Sequence, residues 1–377
     1  MLKAAYRFIR FDRAKSIGVV IGIVISTFLI GQNLGVFIFL TGLMKGLVES
    51  ADADVWVVDN RTQNVNALST LDVRKLFEIK SVPGVAKASP VVIANGQAEF
   101  ADGSSAGVLL VGSTGPDFPA GPPVGRIIAG DRQALLRYDR VSADVFEEGN
   151  FAGPGSSSVG TIFEINGKRA EIAVQTKGVR GFAGSFLFTT LERARYYGNL
   201  PNTAISAVLI DVAPGYSPAA VSDEVNARVF GVRAWPAEEL AASTVNSILA
   251  NSGIGASTGT LIVFAIISGF FIIGLTMYSS ALDRIKDYGT LKAIGASDGY
   301  IRGLILSQAG IFALVGFVIG YALLEGFKRG ASRTGLVFDF EWYVVLGIFL
   351  IALFISLFGA VFALRRISNL EPAAVFR

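Results

Sequence analysis

Two side chains that enzymes often use for nucleophilic and metal chemistry are missing from this sequence, since its 377 residues include no His and no Cys. That composition excludes Ser-His-Asp and Cys-His catalysis, the usual zinc and iron–sulfur ligand sets, and disulfide bonds. No Gly-x-x-x-x-Gly-Lys-Ser/Thr loop occurs, so the chain does not cradle ATP through a P-loop. We therefore predict a non-enzymatic chain that binds no cofactor or metal, so if the protein uses ATP, another subunit must bind it.

Two closely spaced acidic pairs remain as candidates for acid–base or metal chemistry, Asp52/Asp54 and Glu147/Glu148. Both lie in segments that we predict to be loops, where isolated acidic pairs usually belong to solvated faces. We therefore predict neither a catalytic residue nor a metal ligand among them.

The most strongly patterned polar stretch is residues 283–297, DRIKDYGTLKAIGAS, between two strongly apolar runs. It starts with two acid–base couples, Asp283 with Arg284 and Lys286 with Asp287. Leu291 and Ile294 follow three residues apart, bracketed by Gly289 and Gly295. Because residues three apart share one face of a helix, the spacing predicts a short amphipathic helix at the membrane surface, able to dock into a partner's groove. The alternative is a charged hairpin that only anchors two helix ends.

This stretch resembles the loop between the second and third spans of the MacB/FtsX/LolC-type (type VII) ABC transporter permeases, which reads approximately E-R-x-R-E-I-G-x-x-[KR]-A-[IV]-G-A. The residues in register with that pattern are Asp283, Arg284, Lys286, Asp287, Gly289, Lys292, Ala293, Ile294, Gly295 and Ala296. Asp replaces Glu at positions 283 and 287, and Tyr288 stands where an aliphatic residue is usual. The resemblance implies that these residues, together with Leu291, couple the chain to an ATPase subunit.

Hydrophobic residues make up 52% of the sequence, and four apolar runs are long enough to cross a hydrocarbon core of about 30 Å. They predict an α-helical four-span bundle with a large α+β extracytoplasmic domain inserted between spans 1 and 2. The predicted segments are an N-terminal tail (1–15), span 1 (16–45), the α+β domain (46–255), span 2 (260–282), a coupling loop (283–302), span 3 (303–324), a short outer loop (325–341), span 4 (342–364) and a C-terminal tail (365–377).

The distribution of Lys and Arg predicts the orientation of the spans. Five of these residues lie in the N-terminal tail, four in the 283–302 loop and three after Leu364, against three in the 325–341 loop. Because positive residues favour the cytoplasmic side, we predict that both termini and the coupling loop are cytoplasmic and the α+β domain is periplasmic. Basic residues gathered at span ends, with a net charge of only +3, are typical of membrane topology and argue against a nucleic-acid partner.

Inside the α+β domain, several short patterns predict local structure. Asn166–Gly167 between 161–165 and 168–176 predicts a hairpin with a type I′ turn. Ser217 and Pro218 predict a helix start, for a helix running to about Phe230. Further predictions are strands at 55–58, 85–93 and 231–235 and a helix capped by Ser69 or Thr70 that ends at Phe77.

Span 1 carries two small-xxx-small pairs, Gly18/Gly22 and Gly31/Gly35. Glycine four residues apart lets helices approach closely, so the pairs predict a packing seam, for which a homodimer interface is one interpretation.

The family resemblance implies a function as well as a fold. Permeases of this superfamily work as dimers whose separate ATPase subunits drive an extracytoplasmic domain, in the bacterial inner membrane. Residues 181–188, GFAGSFLF, look most like the DevC-type permeases, which work with a HlyD-like periplasmic adaptor. We therefore expect an exporter permease subunit, with a lipid-like or other amphiphilic cargo.

Two alternatives stay open. FtsX-like relatives use the same architecture as signal transducers that control a periplasmic partner and move no cargo. Some similar permeases export haem, and without His or Cys the ligand here would be Met44, a Tyr or a carboxylate such as Glu49. For Met44 the simpler interpretation is a packing residue.

Overall fold

The computed structural model describes residues 13–182, 184–283 and 285–368, and forms two compact units. One unit is Leu40–Gly253, and the other comprises the described residues up to Phe39 and from Ile254 onward. The helices are α1 (Arg13–Glu49), α2 (Lys75–Lys80), α3 (Leu191–Tyr197), α4 (Pro218–Arg228), α5 (Ala237–Ser252), α6 (Ile254–Asp283), α7 (Ile285–Ala293), α8 (Asp298–Ala331) and α9 (Trp342–Ser368).

Four helices, α1, α6, α8 and α9, are long and apolar enough to cross a membrane. They contain the four predicted spans and extend beyond them, since helical hydrogen bonding does not stop where an apolar run stops. The α8 helix illustrates this, because it begins at Asp298, where the Ser297 hydroxyl accepts the Tyr300 N–H at 3.2 Å, five residues before the predicted span. The predicted coupling loop is therefore mostly helical.

The glycines of span 1 make their close approaches within the chain. A Cβ on Gly22 would lie 2.7 Å from Ile272 of α6, one on Gly31 would collide with Leu324 of α8, and one on Gly35 would collide with Phe338. A Cβ on Gly18 would be less crowded, at 3.4 Å from Thr276. These glycines allow the spans of one chain to pack together. The homodimer interpretation is not needed to explain them and stays a prediction.

The other unit is built on a mixed ten-stranded sheet. Its strands are β1 (Val55–Asp59), β3 (Val85–Glu99), β4 (Ser105–Ser113), β5 (Ile127–Gly130), β6 (Arg140–Asp144), β7 (Ile162–Ile165), β8 (Lys168–Thr176), β9 (Ser185–Thr190), β11 (Ala207–Val212) and β12 (Val232–Pro236), while β2 (Leu71–Asp72) pairs only with β10 (Ala204–Ile205). The main path runs β12-β1-β11-β3-β7-β8-β5. Strand β4 joins β3 and β9, and β6 joins β8. Most pairs are antiparallel, but β4–β9 and β6–β8 are parallel.

Both faces of the sheet are covered, which explains its nearly continuous apolar strands. In β1, Val55 and Val57 face a core shared with α2, α3 and α4. Trp56 and Val58 face a second core, shared with the end of α1 and with α5. This is the period-two alternation of a strand, with apolar layers on both sides. The α+β architecture predicted from the sequence is confirmed.

Local predictions succeeded where turn chemistry was explicit. Asn166 and Gly167 have φ of 50° and 71°, as a type I′ turn requires, and Ser217 caps α4 by accepting the Ala220 N–H. The helix predicted to end at Phe77 was wrong in its bounds. Residues 71–72 instead form β2, and α2 begins at Lys75 without a side-chain cap, because pairing with β10 overrides the local capping signal.

Candidate functional site

The predicted coupling segment is a short helix with a defined end. After α7, the Gly295 N–H donates to the Lys292 carbonyl at 3.0 Å and the Ala296 N–H donates to the Leu291 carbonyl at 2.9 Å. Gly295 has φ of +102°, so this is a Schellman cap whose left-handed position suits glycine. Because Ser297 caps α8 directly afterwards, both helix ends in this turn are capped.

One face of α7 belongs to the membrane bundle. Tyr288 is only 3% exposed and lies in the same apolar cluster as Ile301 and Leu304 of α8. Leu291, one turn further along, packs against that cluster, and Gly289 is also buried. Leu291, which was expected to contact a partner, is half-buried and packs against its own bundle, and its coupling role stays a prediction. Tyr288, which departs from the family pattern, was missed as an anchor, although its spacing of three from Leu291 could have revealed it.

The opposite face of α7 is open. Ile294 is 80% exposed, an unusual position for a large aliphatic side chain on a polar segment. The other exposed positions of this face are Lys286, Asp287, Thr290 and Ala293. The predicted apolar pair is thus divided, with Leu291 inward and Ile294 outward, because the helix ends between them and Ile294 occupies the cap.

Two charged residues of the segment, Asp283 and Lys292, form ion pairs with residues outside it. Asp283 forms an ion pair with Lys15 of α1, and Lys15 also donates to the Ser279 carbonyl at 3.3 Å. Lys292 pairs with Asp298 at 2.8 Å, which joins α7 to the start of α8. Arg284 lies outside the described residues. The segment is therefore tied to both flanking elements.

The acidic pairs of the α+β domain fall into two groups. Asp52 and Asp54 are exposed, as predicted, but Glu147 is only 3% exposed, so its prediction as part of a solvated loop was wrong. Its carboxylate accepts hydrogen bonds from Arg180, Ser185 and Asn150. Glu148 is half-buried and accepts the Ser157 hydroxyl at 2.8 Å. Arg180 and Ser185, which are 33 and 38 residues from Glu147 in sequence, are partners that no local pattern predicts.

Within residues 13–182, 184–283 and 285–368, no group of three or more acidic, His or Cys side chains could hold a metal ion. The arrangement at α7 is a capped helix with an exposed apolar side chain and charges around it.

Sequence comparison places this segment in a known family. Residues 259–372 match the model of the FtsX-like permease C-terminal family. An uncharacterized ABC transporter permease of Mycobacterium tuberculosis (strain H37Rv) is 24% identical and aligns with 100% of this chain and 99% of its own length. One from Methanocaldococcus jannaschii is 30% identical over 151 residues, which are 37% of this chain and 36% of that relative.

Comparison of structures returns domains of two transporters. The extracellular domain of the noncanonic ABC-type transporter YknZ from Gram-positive bacteria gives a TM-score of 0.35 at 11% identity, covering 48% of this chain and 98% of that domain. The periplasmic region of MacB from Actinobacillus actinomycetemcomitans gives a TM-score of 0.36 at 9% identity, covering 54% of this chain and 96% of that region.

The fold defines a multi-pass membrane protein with an α+β domain inserted between its first and second spans. The family match assigns residues 259–372 to the FtsX-like permeases, and the relatives that align over the full chain are named ABC transporter permeases. The family predicted from residues 283–297 is thus confirmed, while the narrower resemblance to DevC stays a prediction.

Proposed function

We propose that this permease is the non-catalytic membrane subunit of an ABC exporter, and that the exposed face of α7 docks a separate ATPase subunit. ATP and Mg²⁺ bind to that partner. The α7 helix then passes the ATP-driven movement of the partner to the spans and the α+β domain.

The observation that carries this proposal is the exposure of Ile294 in a turn whose two helix ends are both capped. Burying an exposed aliphatic side chain is favourable by about 1.5–3 kcal/mol. Ordering a flexible loop on binding would offset much of that gain, but a capped helix is already ordered. The charges at Lys286 and Asp287 would set the orientation of the partner, since charged groups around an apolar centre favour one docking geometry.

The inward face of α7 supports the transmission step. Tyr288 and Leu291 pack on the membrane cluster, and the Lys292–Asp298 ion pair links α7 to α8. Close-packed interiors have low compressibility, so displacement of α7 moves the helices against which it packs.

Orientation, assembly and cargo complete the proposal. The excess of Lys and Arg supports a topology with the termini and α7 in the cytoplasm and the α+β domain in the periplasm of a bacterial cell. Trp342 and Tyr343, 76% and 54% exposed at the start of α9, are typical of aromatic residues at a membrane interface. We propose a homodimer in the inner membrane that works with a HlyD-like adaptor on a lipid-like or other amphiphilic cargo. Met44 is fully buried, as a packing residue would be, which does not favour a haem ligand there.

The test is a pull-down of the full chain from its native membrane in mild detergent, with co-purifying proteins identified by mass spectrometry. An ATPase subunit together with a HlyD-like adaptor supports the exporter. An ATPase together with a cell-wall hydrolase or its regulator would replace export by FtsX-like signal transduction. Recovery of no ATPase would contradict the docking role of α7.

A further inference from the structure

The end of α1 within the Leu40–Gly253 unit is held by residues 177–182, which we call the strap. The Phe182 N–H donates to the Leu43 carbonyl at 3.1 Å. One turn along α1, Gly46 lies so close to the strap that a Cβ there would be 2.6 Å from the Arg180 carbonyl oxygen. Because that neighbour is backbone, it cannot swing aside as a side chain would. Only glycine fits at position 46 without displacement of the strap.

Two buried carboxylates brace the strap. Asp144, 1% exposed, accepts the Val179 N–H at 2.7 Å and the Thr176 hydroxyl at 3.0 Å. Burial raises the pKa of Asp144 above its ordinary value, while these donors act in the opposite direction. Glu147, 3% exposed, binds the Arg180 guanidinium from within the domain. The side chain of Arg180 is therefore held inside the domain while its carbonyl faces α1.

The strap is continuous with the sheet. It directly follows β8, and the Lys177 N–H donates to the Arg126 carbonyl at 2.9 Å. Gly181 packs against the ring of Phe186 in β9, and Phe186 lies in the same apolar core as Leu47 at the end of α1. Backbone and core thus connect the strap to the strands on either side of it.

A second segment holds the same turn of α1. The Asn66 side chain donates to the Met44 carbonyl at 2.7 Å, and the neighbouring Val65 N–H donates to the Thr244 hydroxyl of α5 at 3.0 Å. Val65 and Thr244 are both fully buried. The end of α1 is thus attached to the strap and, through Asn66 and Val65, to α5.

We propose that the contact of Gly46 with the braced strap is the joint through which movement of span 1 enters the α+β domain. Residue 46 lies on the same continuous helix as span 1, since α1 runs from Arg13 to Glu49. The strap receives that movement through a backbone contact and passes it to β8 and β9. This inference rests on the proposed function, because it assigns a route to the movement that the ATPase would drive.

The experiment compares Gly46→Ala with Gly42→Ala in the full chain, reconstituted in lipid nanodiscs. Gly42 lies one turn earlier on the same helix and has nothing within 4 Å of the position that a Cβ would take, so it controls for helix propensity. Hydrogen–deuterium exchange is followed in residues 177–182. We expect at least about tenfold faster exchange in Gly46→Ala and unchanged exchange in Gly42→Ala, because only the first displaces the strap. Glu147→Gln, which leaves α1 intact, should also accelerate exchange in residues 177–182. This variant replaces Gly46→Ala in the test if Gly46→Ala does not fold.

The second measurement repeats the comparison with the ATPase that co-purifies with the wild-type chain. ATP should change exchange in β8 and β9 in wild type and Gly42→Ala but not in Gly46→Ala, whose complex should still hydrolyse ATP. The proposal would be contradicted if strap exchange is unchanged in both Gly46→Ala and Glu147→Gln. It would also be contradicted if ATP still changes exchange in β8 and β9 of Gly46→Ala. If the wild-type chain captures no ATPase, the proposed function is contradicted instead. The exchange data from nanodiscs would then test only the contact between Gly46 and the strap.

Discussion

Lys15 on α1 and Asp283 at the last residue of α6 form an ion pair, which joins the start of the first span to the end of the second. Asp283 is the first residue of the segment that resembles the coupling loop, so one of its charges is engaged within the chain. The Asp283 side chain remains 60% exposed, which leaves it accessible to a partner as well.

A double-mutant cycle on this pair measures whether the ion pair within the chain affects the contact of Asp283 with a partner. We expect Lys15→Ala, Asp283→Ala and the double variant to differ in stability by no more than about 1 kcal/mol, because exposed ion pairs are screened by water. In ATPase recovery from membranes, the effect of Asp283→Ala should depend on whether Lys15 is present. Strictly additive effects in the recovery assay would show that the pair plays no part in presenting the segment.

Ile294 should carry the apolar contact with the ATPase. Replacing Ile294 by Asp puts a charge at the centre of the proposed interface, and we expect ATPase recovery to fall at least about tenfold while membrane insertion and thermal stability stay unchanged. Phe230→Asp is the matched control, because Phe230 is 90% exposed in the other unit. Equal ATPase recovery from the two variants would remove Ile294 from the interface.

Leu291 should behave differently from Ile294, although only three residues separate them. Leu291→Asp places a carboxylate against the membrane cluster, so we expect loss of thermal stability of about 2 kcal/mol or more. The melting temperature of the purified full chain in detergent tests this prediction. Loss of ATPase binding with wild-type melting would instead put Leu291 on the docking face.

The Schellman cap predicts a position-specific requirement for glycine. Gly295→Ala forces a side chain into φ of +102°, and we expect a cost of about 1–2 kcal/mol, seen as faster hydrogen exchange in residues 290–297. Gly299→Ala, inside α8 and with nothing closer than 3.9 Å to its added Cβ, should be neutral or stabilising. The cap assignment fails if Gly295→Ala exchanges like the wild-type chain.

The glycines of span 1 separate packing within a chain from packing between chains. Gly31→Ala would collide with Leu324, and we expect it to destabilise the monomer by about 1–3 kcal/mol, whereas Gly18→Ala should be tolerated. Melting temperature and oligomeric state are measured together on the same samples. A changed monomer–dimer equilibrium without loss of monomer stability would favour the homodimer seam.

Much of the fold could be predicted because its signals are local. Four apolar runs specify spans, since the chain in lipid must satisfy its own hydrogen bonds as helices. Asn166–Gly167 and Ser217 specify a turn and a cap through their own backbone preferences. The missed bounds of α2 have the opposite cause, because pairing of Leu71–Asp72 with Ala204–Ile205 depends on residues far away in sequence.

The sequence by itself determined the spans, the inserted α+β domain and a helical segment after span 2, because adjacent residues decide backbone conformation and membrane preference. Only the tertiary structure decided that Tyr288 and Leu291 face the bundle while Ile294 faces outward, that Glu147 is buried, and that Gly46 meets the Arg180 carbonyl. The physical reason is that burial depends on which distant segment packs against a residue. Two residues of the same type and local context can therefore have opposite surroundings.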